Sequence, residues 1–119
     1  MQKEYLTSLE ELPIPSFKEI RNISVQYLMS NFSESERLEL ICELERGKAL
    51  LNTHDQLCQY LYSYGKMHEA KLEDALNNVS SDFWKCDFEV VDWGCGQAIG
   101  TLKVLDLLRT KSLLDNVKR

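Results

Sequence analysis

Phe88-Glu89-Val90-Val91-Asp92-Trp93-Gly94-Cys95-Gly96-Gln97-Ala98-Ile99-Gly100 is the stretch that decides the fold. Its first five residues, bounded by turn formers, read as a strand. A glycine-rich turn follows from Trp93 to Gly100. Leu102, Leu105 and Leu108, with Val104, then recur at helical spacing and predict a helix to about Arg109. Strand, glycine turn and helix in that order have a direct physical logic. A turn without Cβ atoms lets a ligand approach the backbone closely. The start of the helix presents free amides and a positive end. An acidic residue at the carboxyl end of the strand accepts hydrogen bonds from a cation or a hydroxyl, and open α/β sheets bind ligands at that edge.

The glycine spacing separates the possible ligands. Dinucleotide-binding turns favour G-x-G-x-x-G, wrapped on a pyrophosphate. Here Gly94, Gly96 and Gly100 give G-x-G-x-x-x-G, with Asp92 two residues before the first glycine. A phosphate-binding P-loop needs Gly-Lys-Ser or Gly-Lys-Thr, and the chain has neither. A carboxylate this close disfavours a phosphate and favours an amino or sulfonium group.

The run Val90-Val91-Asp92-Trp93-Gly94-Cys95-Gly96, closed by Gly100, resembles the first motif of class I S-adenosylmethionine-dependent methyltransferases. The resemblance implies a Rossmann-like α/β domain in which the glycine turn packs on the methionine part of the cofactor and the acidic residue holds its amino group. It assigns cofactor binding to Asp92, Gly94, Gly96 and Gly100, with Cys95 and Gln97 contributing backbone. Methyltransferases of this class often place a helix over the cofactor ahead of the first strand. Upstream, Tyr60, Tyr62, Tyr64, Lys66 and His68 cluster around Gly65, so the resemblance offers Tyr64, Lys66 and His68 as further, less specific cofactor contacts. The residues themselves also support a plainer reading: Tyr64 and His68 lie on an apolar helical stripe as core residues, and Lys66 is solvated.

Ahead of the motif the chain reads as helical. Residues 1–15 carry both prolines, Pro13 and Pro15, and form an irregular lead-in. Ser16 caps a helix carrying Phe17, Ile20, Ile23, Tyr27 and Leu28, ending near Ser30-Asn31. Ser33-Glu34-Ser35-Glu36 is a capping box, opening a helix whose buried face is Leu40, Ile41, Leu44 and Leu51, with Gly47 weakening its last turn. Thr53-His54-Asp55-Gln56 is a third cap of the same form, with His54 a surface or capping group. The helix it opens steps through Leu57, Leu61, Tyr64, His68, Leu72, Ala75 and Val79, interrupted at Gly65, where a kink or break is expected. The expected organisation is a helical region over 1–82, followed over 83–119 by the strand, turn and helix of an incomplete cofactor-binding domain. The fold class is mainly α, with the first corner of a Rossmann-like α/β domain at its end.

Composition fits this outline. The 119 residues suit one small domain, and 44% hydrophobic with 28% charged residues are ordinary globular values. The net charge of −5 argues against a nucleic-acid surface. The acidic run Glu34, Glu36, Glu39, Glu43 and Glu45, offset by Arg37 and Arg46, reads as a solvated helix face. Only Lys103, Arg109, Lys111, Lys118 and Arg119 give the end a basic lean. No window approaches the ~18 apolar residues of a membrane span, and the start lacks the apolar core of a secretory signal. Cys42, Cys58, Cys86 and Cys95 include no Cys-x-x-Cys pair, so a zinc site is not expected, and free thiols in a reducing cytoplasm are. Cys42 and Cys58 read as small core residues. No spacing points to a nucleophile–base pair, paired carboxylates or a metal cluster, so no catalytic residue is assigned.

The functional expectation is therefore the N-terminal part of a methyltransferase that uses S-adenosylmethionine, cut after its first motif and inactive by itself. The family's ribose-binding acid, adenine contacts and methyl-acceptor residues belong to later strands; the second strand is expected to begin near Asp115–Arg119. A lone strand at 88–92 would have two open edges, so pairing with a second copy, or a swap of 83–119 between chains, is expected. The methyl acceptor is not specified by the sequence. The alternatives are a non-catalytic methyltransferase-like protein, as plant GRAS-domain regulators resemble, and a helical protein-interaction module.

Overall fold

A computed structural model describes residues 9–13, 15–93 and 96–118. The chain is mainly helical, with helices α1 (Phe17–Asn31), α2 (Glu34–Glu43), α3 (His54–Asn77) and α4 (Ile99–Thr110). Short 3₁₀ turns lie at Glu45–Gly47, Phe83–Lys85 and Leu114–Asn116. None of the helices among the described residues is long and apolar enough to cross a membrane. The residues group into two compact units that divide between Lys66 and Met67, within α3.

In the first unit, each helix starts on the residue beside it. The Ser16 hydroxyl accepts from the Glu19 amide at 3.2 Å. Ser33 and Glu36 form the full capping box, with the Ser33 amide donating to the Glu36 carboxylate at 2.6 Å and the Glu36 amide donating to the Ser33 hydroxyl at 3.3 Å. At α3 the Thr53 hydroxyl accepts from the Gln56 amide at 3.2 Å. The Gln56 side chain reaches one residue further back than a capping box would, accepting from the Asn52 amide at 2.8 Å. Leu28, Leu40 and Cys58 form the core, flanked by Leu9, Ile23, Tyr27 and Phe32.

Several local expectations are corrected. α3 runs unbroken through Gly65. The glycine is there for packing, because a Cβ would lie 3.3 Å from the Phe17 ring and 3.5 Å from Arg21. Its absence lets α1 close on α3, and the Arg21 guanidinium donates to the carbonyls of Leu61 at 3.2 Å and Tyr62 at 3.1 Å. α2 stops at Glu43, and Glu45, Arg46 and Gly47 all take left-handed φ angles, 47°, 60° and 85°. Leu51 therefore lies outside the helix. Only Leu40 and Leu44 of the expected face are buried, while Ile41 and Cys42 point outward. The reason is angular: Leu40 and Leu44 are four apart and share one side, and Ile41 and Cys42 fall away from it at 100° per residue.

The second unit is built around α4. Leu108 is fully buried and Ile99 and Trp84 nearly so. Phe83, Trp84 and Phe88 stack in a small aromatic cluster with ring centroids 5.1 to 6.0 Å apart. The Asn116 side chain donates to the Trp84 carbonyl at 3.0 Å.

No strand forms over 88–92. What forms is a single parallel bridge between Phe88 and Val117. The Phe88 amide donates to the Asn116 carbonyl at 2.9 Å, and the Lys118 amide donates to the Phe88 carbonyl at 2.7 Å. Residues 89–93 make no backbone–backbone hydrogen bond among the described residues. A strand is defined by its neighbour, and only the short segment at Val117 lies alongside. The side chains nonetheless keep a period of two: Asp87, Glu89, Val91 and Trp93 are exposed, while Phe88, Val90 and Asp92 are half-buried.

Candidate functional site

Asp92 ends the extended segment and begins the candidate site. One carboxylate oxygen, Oδ2, accepts twice from Thr101, from the backbone N–H at 3.0 Å and from the hydroxyl at 2.8 Å. Thr101 is the third residue of α4, so its amide is one of the four that a helix start leaves without an internal partner. The residue at the cap position itself is Ala98, left-handed at φ 57° and without a capping side chain. Asp92 thus caps α4 from outside the helix and sets its negative charge on the positive end.

Gly100 makes that approach possible. A Cβ there would stand 3.2 Å from Asp92 Oδ2 and 3.6 Å from Oδ1. Gly96 is required for a different reason. Its φ of 52° is left-handed, which favours glycine, and the space where a Cβ would stand is open to 4 Å. Gln97 is half-buried, and its side-chain amide nitrogen is buried with no hydrogen-bond partner among the described residues. A buried donor left unmade costs about 1–3 kcal/mol, and an acceptor on a ligand would recover it. Gly94 and Cys95 lie outside the described residues. Asp92 and Gly100 are thus brought together, while Gly96 and Gln97 lie in the turn that leads into α4.

The less specific candidates divide between the units. Tyr64 and Lys66 belong to the first. Tyr64 is half-buried, its ring 5.1 Å from that of Tyr60, and both rings pack on Gly47; this is the structural role that its place on the apolar stripe predicts. Lys66 is exposed. His68, in the second unit, is half-buried on α3. Among the described residues, no group of three or more His, Cys, Asp or Glu is arranged to hold a metal.

Two features of the second unit escape sequence reasoning. The first is Thr101, which binds Asp92; no local pattern joins an acid to a threonine nine residues later. The second is Lys103, assigned to a basic tail but in fact buried on α4. Its ammonium pairs with Glu69 at 3.1 Å and Glu73 at 3.0 Å, both on α3. Burial opposes the charge on Lys103, but the hydrogen bonds and the fields of the two carboxylates outweigh it and raise its pKa. Glu69 and Glu73 are four apart, which marks one helix face, yet nothing local announces their partner. A cleft of about 250 Å³ opens beside them, lined by Glu73, Leu76, Lys103, Asp106, Leu107 and Thr110. None of the described glycine-turn residues lines it.

No family model, curated protein or solved structure matches the chain.

Proposed function

We propose that the second unit is the opening corner of a Rossmann-like domain that binds S-adenosylmethionine, and that a complete domain of this kind transfers a methyl group. The observation that carries this reading is the parallel pairing of Phe88 with Val117 across α4. Parallel neighbours need a crossover, usually a helix, so the extended segment, α4 and the Val117 segment together follow the order of a βαβ unit. The motif resembling that of the methyltransferases lies at the carboxyl end of the first segment, where such sheets hold their ligands.

The residues fit the methionine part of the cofactor. Asp92 offers its second oxygen, Oδ1, to an ammonium. Gly96 keeps its side of the turn open, and the buried Gln97 amide donor awaits an acceptor such as a carboxylate. Gly94 and Cys95 complete the proposed set from the motif alone. When bound, the cofactor supplies an electrophilic methyl on sulfur, and the protein's part is positioning. The residues proposed here hold the methionine part only, so the expected affinity is weak, with a Kd of about 1 mM, equivalent to about −4 kcal/mol.

A titration of the isotopically labelled chain with S-adenosylmethionine, followed by amide NMR, tests this. Shifts confined to Asp92, Gly96, Gln97, Gly100 and Thr101, and lost in Asp92→Ala, are expected. A silent turn at several millimolar would sink the proposal. Micromolar affinity would overturn the view that these residues hold the methionine part alone.

One observation favours a second reading. Oδ2 of Asp92 is already occupied by Thr101, so a non-catalytic relative would keep this acid for helix capping alone. In that case the titration is silent while Asp92→Ala still lowers stability.

A further inference from the structure

We propose that the outward side of α2 docks a cationic amphipathic helix of a partner protein. α2 buries Leu40, with Leu44 just beyond its end, against the first unit. Its opposite side carries Leu38, 56% exposed, and Ile41, 39% exposed, with exposed Cys42 beside them. Positions 38, 41 and 42 are spaced i, i+3, i+4 and form one ridge. A single exposed leucine is ordinary. A second apolar ridge on a helix that has already buried its first is the surface that another helix packs against, ridge into groove.

The charges around the ridge choose the occupant. Glu34, Glu39 and Glu45 are exposed, and their carboxylates form no ion pair or hydrogen bond among the described residues. Arg37, the basic residue of α2, donates to the Phe32 carbonyl at 2.8 Å, and exposed Arg46 beside Glu45 offsets one of the three charges. An apolar ridge on a helix with an excess of exposed carboxylates attracts lysine- or arginine-flanked leucines. It repels a second copy of itself, because the same glutamates would face each other. α2 has ten residues, about 15 Å of helix, so the contact is small and the complex transient.

Fluorescence anisotropy of the full chain with a labelled peptide of about 18 residues, or about 27 Å of helix, tests this. One peptide carries leucine at i, i+3, i+4 and i+7 with lysine elsewhere, and its counterpart carries glutamate in place of lysine. The lysine peptide is expected to bind and the glutamate peptide is not. Leu38→Ala with Ile41→Ala, which leaves charge and core intact, is expected to weaken binding about tenfold, or about 1.4 kcal/mol. Glu39→Gln with Glu45→Gln weakens it too, and raising salt from about 0.1 M to about 1 M abolishes the effect of those charges. Asp87→Asn with Glu89→Gln, the same charge change elsewhere, leaves binding unaltered. Circular dichroism confirms that each variant is folded. The proposal is overturned if the lysine peptide fails to bind, if the alanine variant binds equally well, or if the control pair weakens binding as much as the α2 pair does. A dimer in sedimentation that is lost with Leu38→Ala would overturn it in favour of a second copy.

Discussion

Three helices of this protein start on an immediate neighbour, and the fourth starts on a residue outside its own turn. In the first unit Ser16, Ser33 and Thr53 each accept the amide three residues on. In the second, Ala98 leaves α4 uncapped, and Asp92 reaches it across a glycine turn. A local cap holds one helix end. The Asp92 cap also fixes where an extended segment ends relative to the helix that follows. The same contrast holds for charge. Glu36 pairs within its own first turn, whereas Lys103 pairs with carboxylates on another helix. The first unit has distant contacts too, such as Arg21 on the Leu61 and Tyr62 carbonyls, but its helix starts do not depend on them. Substitutions of Asp92 and of the Lys103 partners are expected to cost more than loss of a local cap.

The largest effect is expected at Lys103. Glu69→Gln with Glu73→Gln strips both carboxylates from a buried ammonium and is expected to lower unfolding stability by about 3 kcal/mol, read from urea denaturation. The reverse change, Lys103→Met, leaves two carboxylates that already reach solvent at 28% and 57% exposure, so it is expected to cost less. Equal costs would break the asymmetry that burial imposes.

Next comes Asp92→Ala, which removes both bonds to Thr101 and the charge at the α4 start. About 2 kcal/mol is expected, with Thr101→Val recovering only the hydroxyl part. Gly100→Ala provides a second approach, because its Cβ would crowd the Asp92 carboxylate at 3.2 Å and the carboxylate must give by a few tenths of an ångström. If Asp92→Ala is neutral by thermal melting, the acid is reserved for a ligand rather than for the helix.

Ser33→Ala is smaller, at about 1 kcal/mol. It removes the oxygen that accepts the Glu36 amide and leaves the helix to start on solvent. Its cost should stay below that of Asp92→Ala by the same melting assay. An inversion would show that local caps, not the distant one, dominate this chain.

These differences also explain what was legible in advance. A serine followed by glutamate three residues later is a complete physical statement, so the starts of α1, α2 and α3 are readable residue by residue. The α4 start is not, because its cap is supplied from outside the helix and depends on the turn bringing it back. Gly65 misleads for a related reason: its place in the helix suggests a kink, but its function is set by Phe17 and Arg21, which pack against it. The strand reading of 88–92 follows from its residue types, and side-chain exposure does alternate there, yet no ladder forms beyond Phe88, since pairing belongs to the neighbour and not to the segment. Leu38 and Ile41 show the limit from the other side: helical spacing identifies apolar positions, and only the packing shows which of them face out.

The pH dependence gives the smallest effect and the cleanest separation of the two regions. Hydrogen bonds from the Ser33 amide and hydroxyl hold the Glu36 carboxyl below its ordinary pKa. A depressed acid stabilises the fold above its unfolded-state pKa, and that contribution is lost as pH falls through the folded value. Lys103 runs the opposite way. Its pKa is raised despite burial, so its contribution is complete below the ordinary lysine value and is lost as pH rises through the folded value. An acid titration should therefore loosen the start of α2 first, and Glu36→Gln should flatten that limb only. An alkaline titration should loosen the Lys103 pairing, and the Glu69→Gln, Glu73→Gln variant should flatten that limb instead. Residue-resolved hydrogen exchange at each extreme distinguishes the two. If α2 opens at the alkaline end, or the α4 amides near Lys103 open first in acid, local and distant pairing are not the separate sources of stability that the two units indicate.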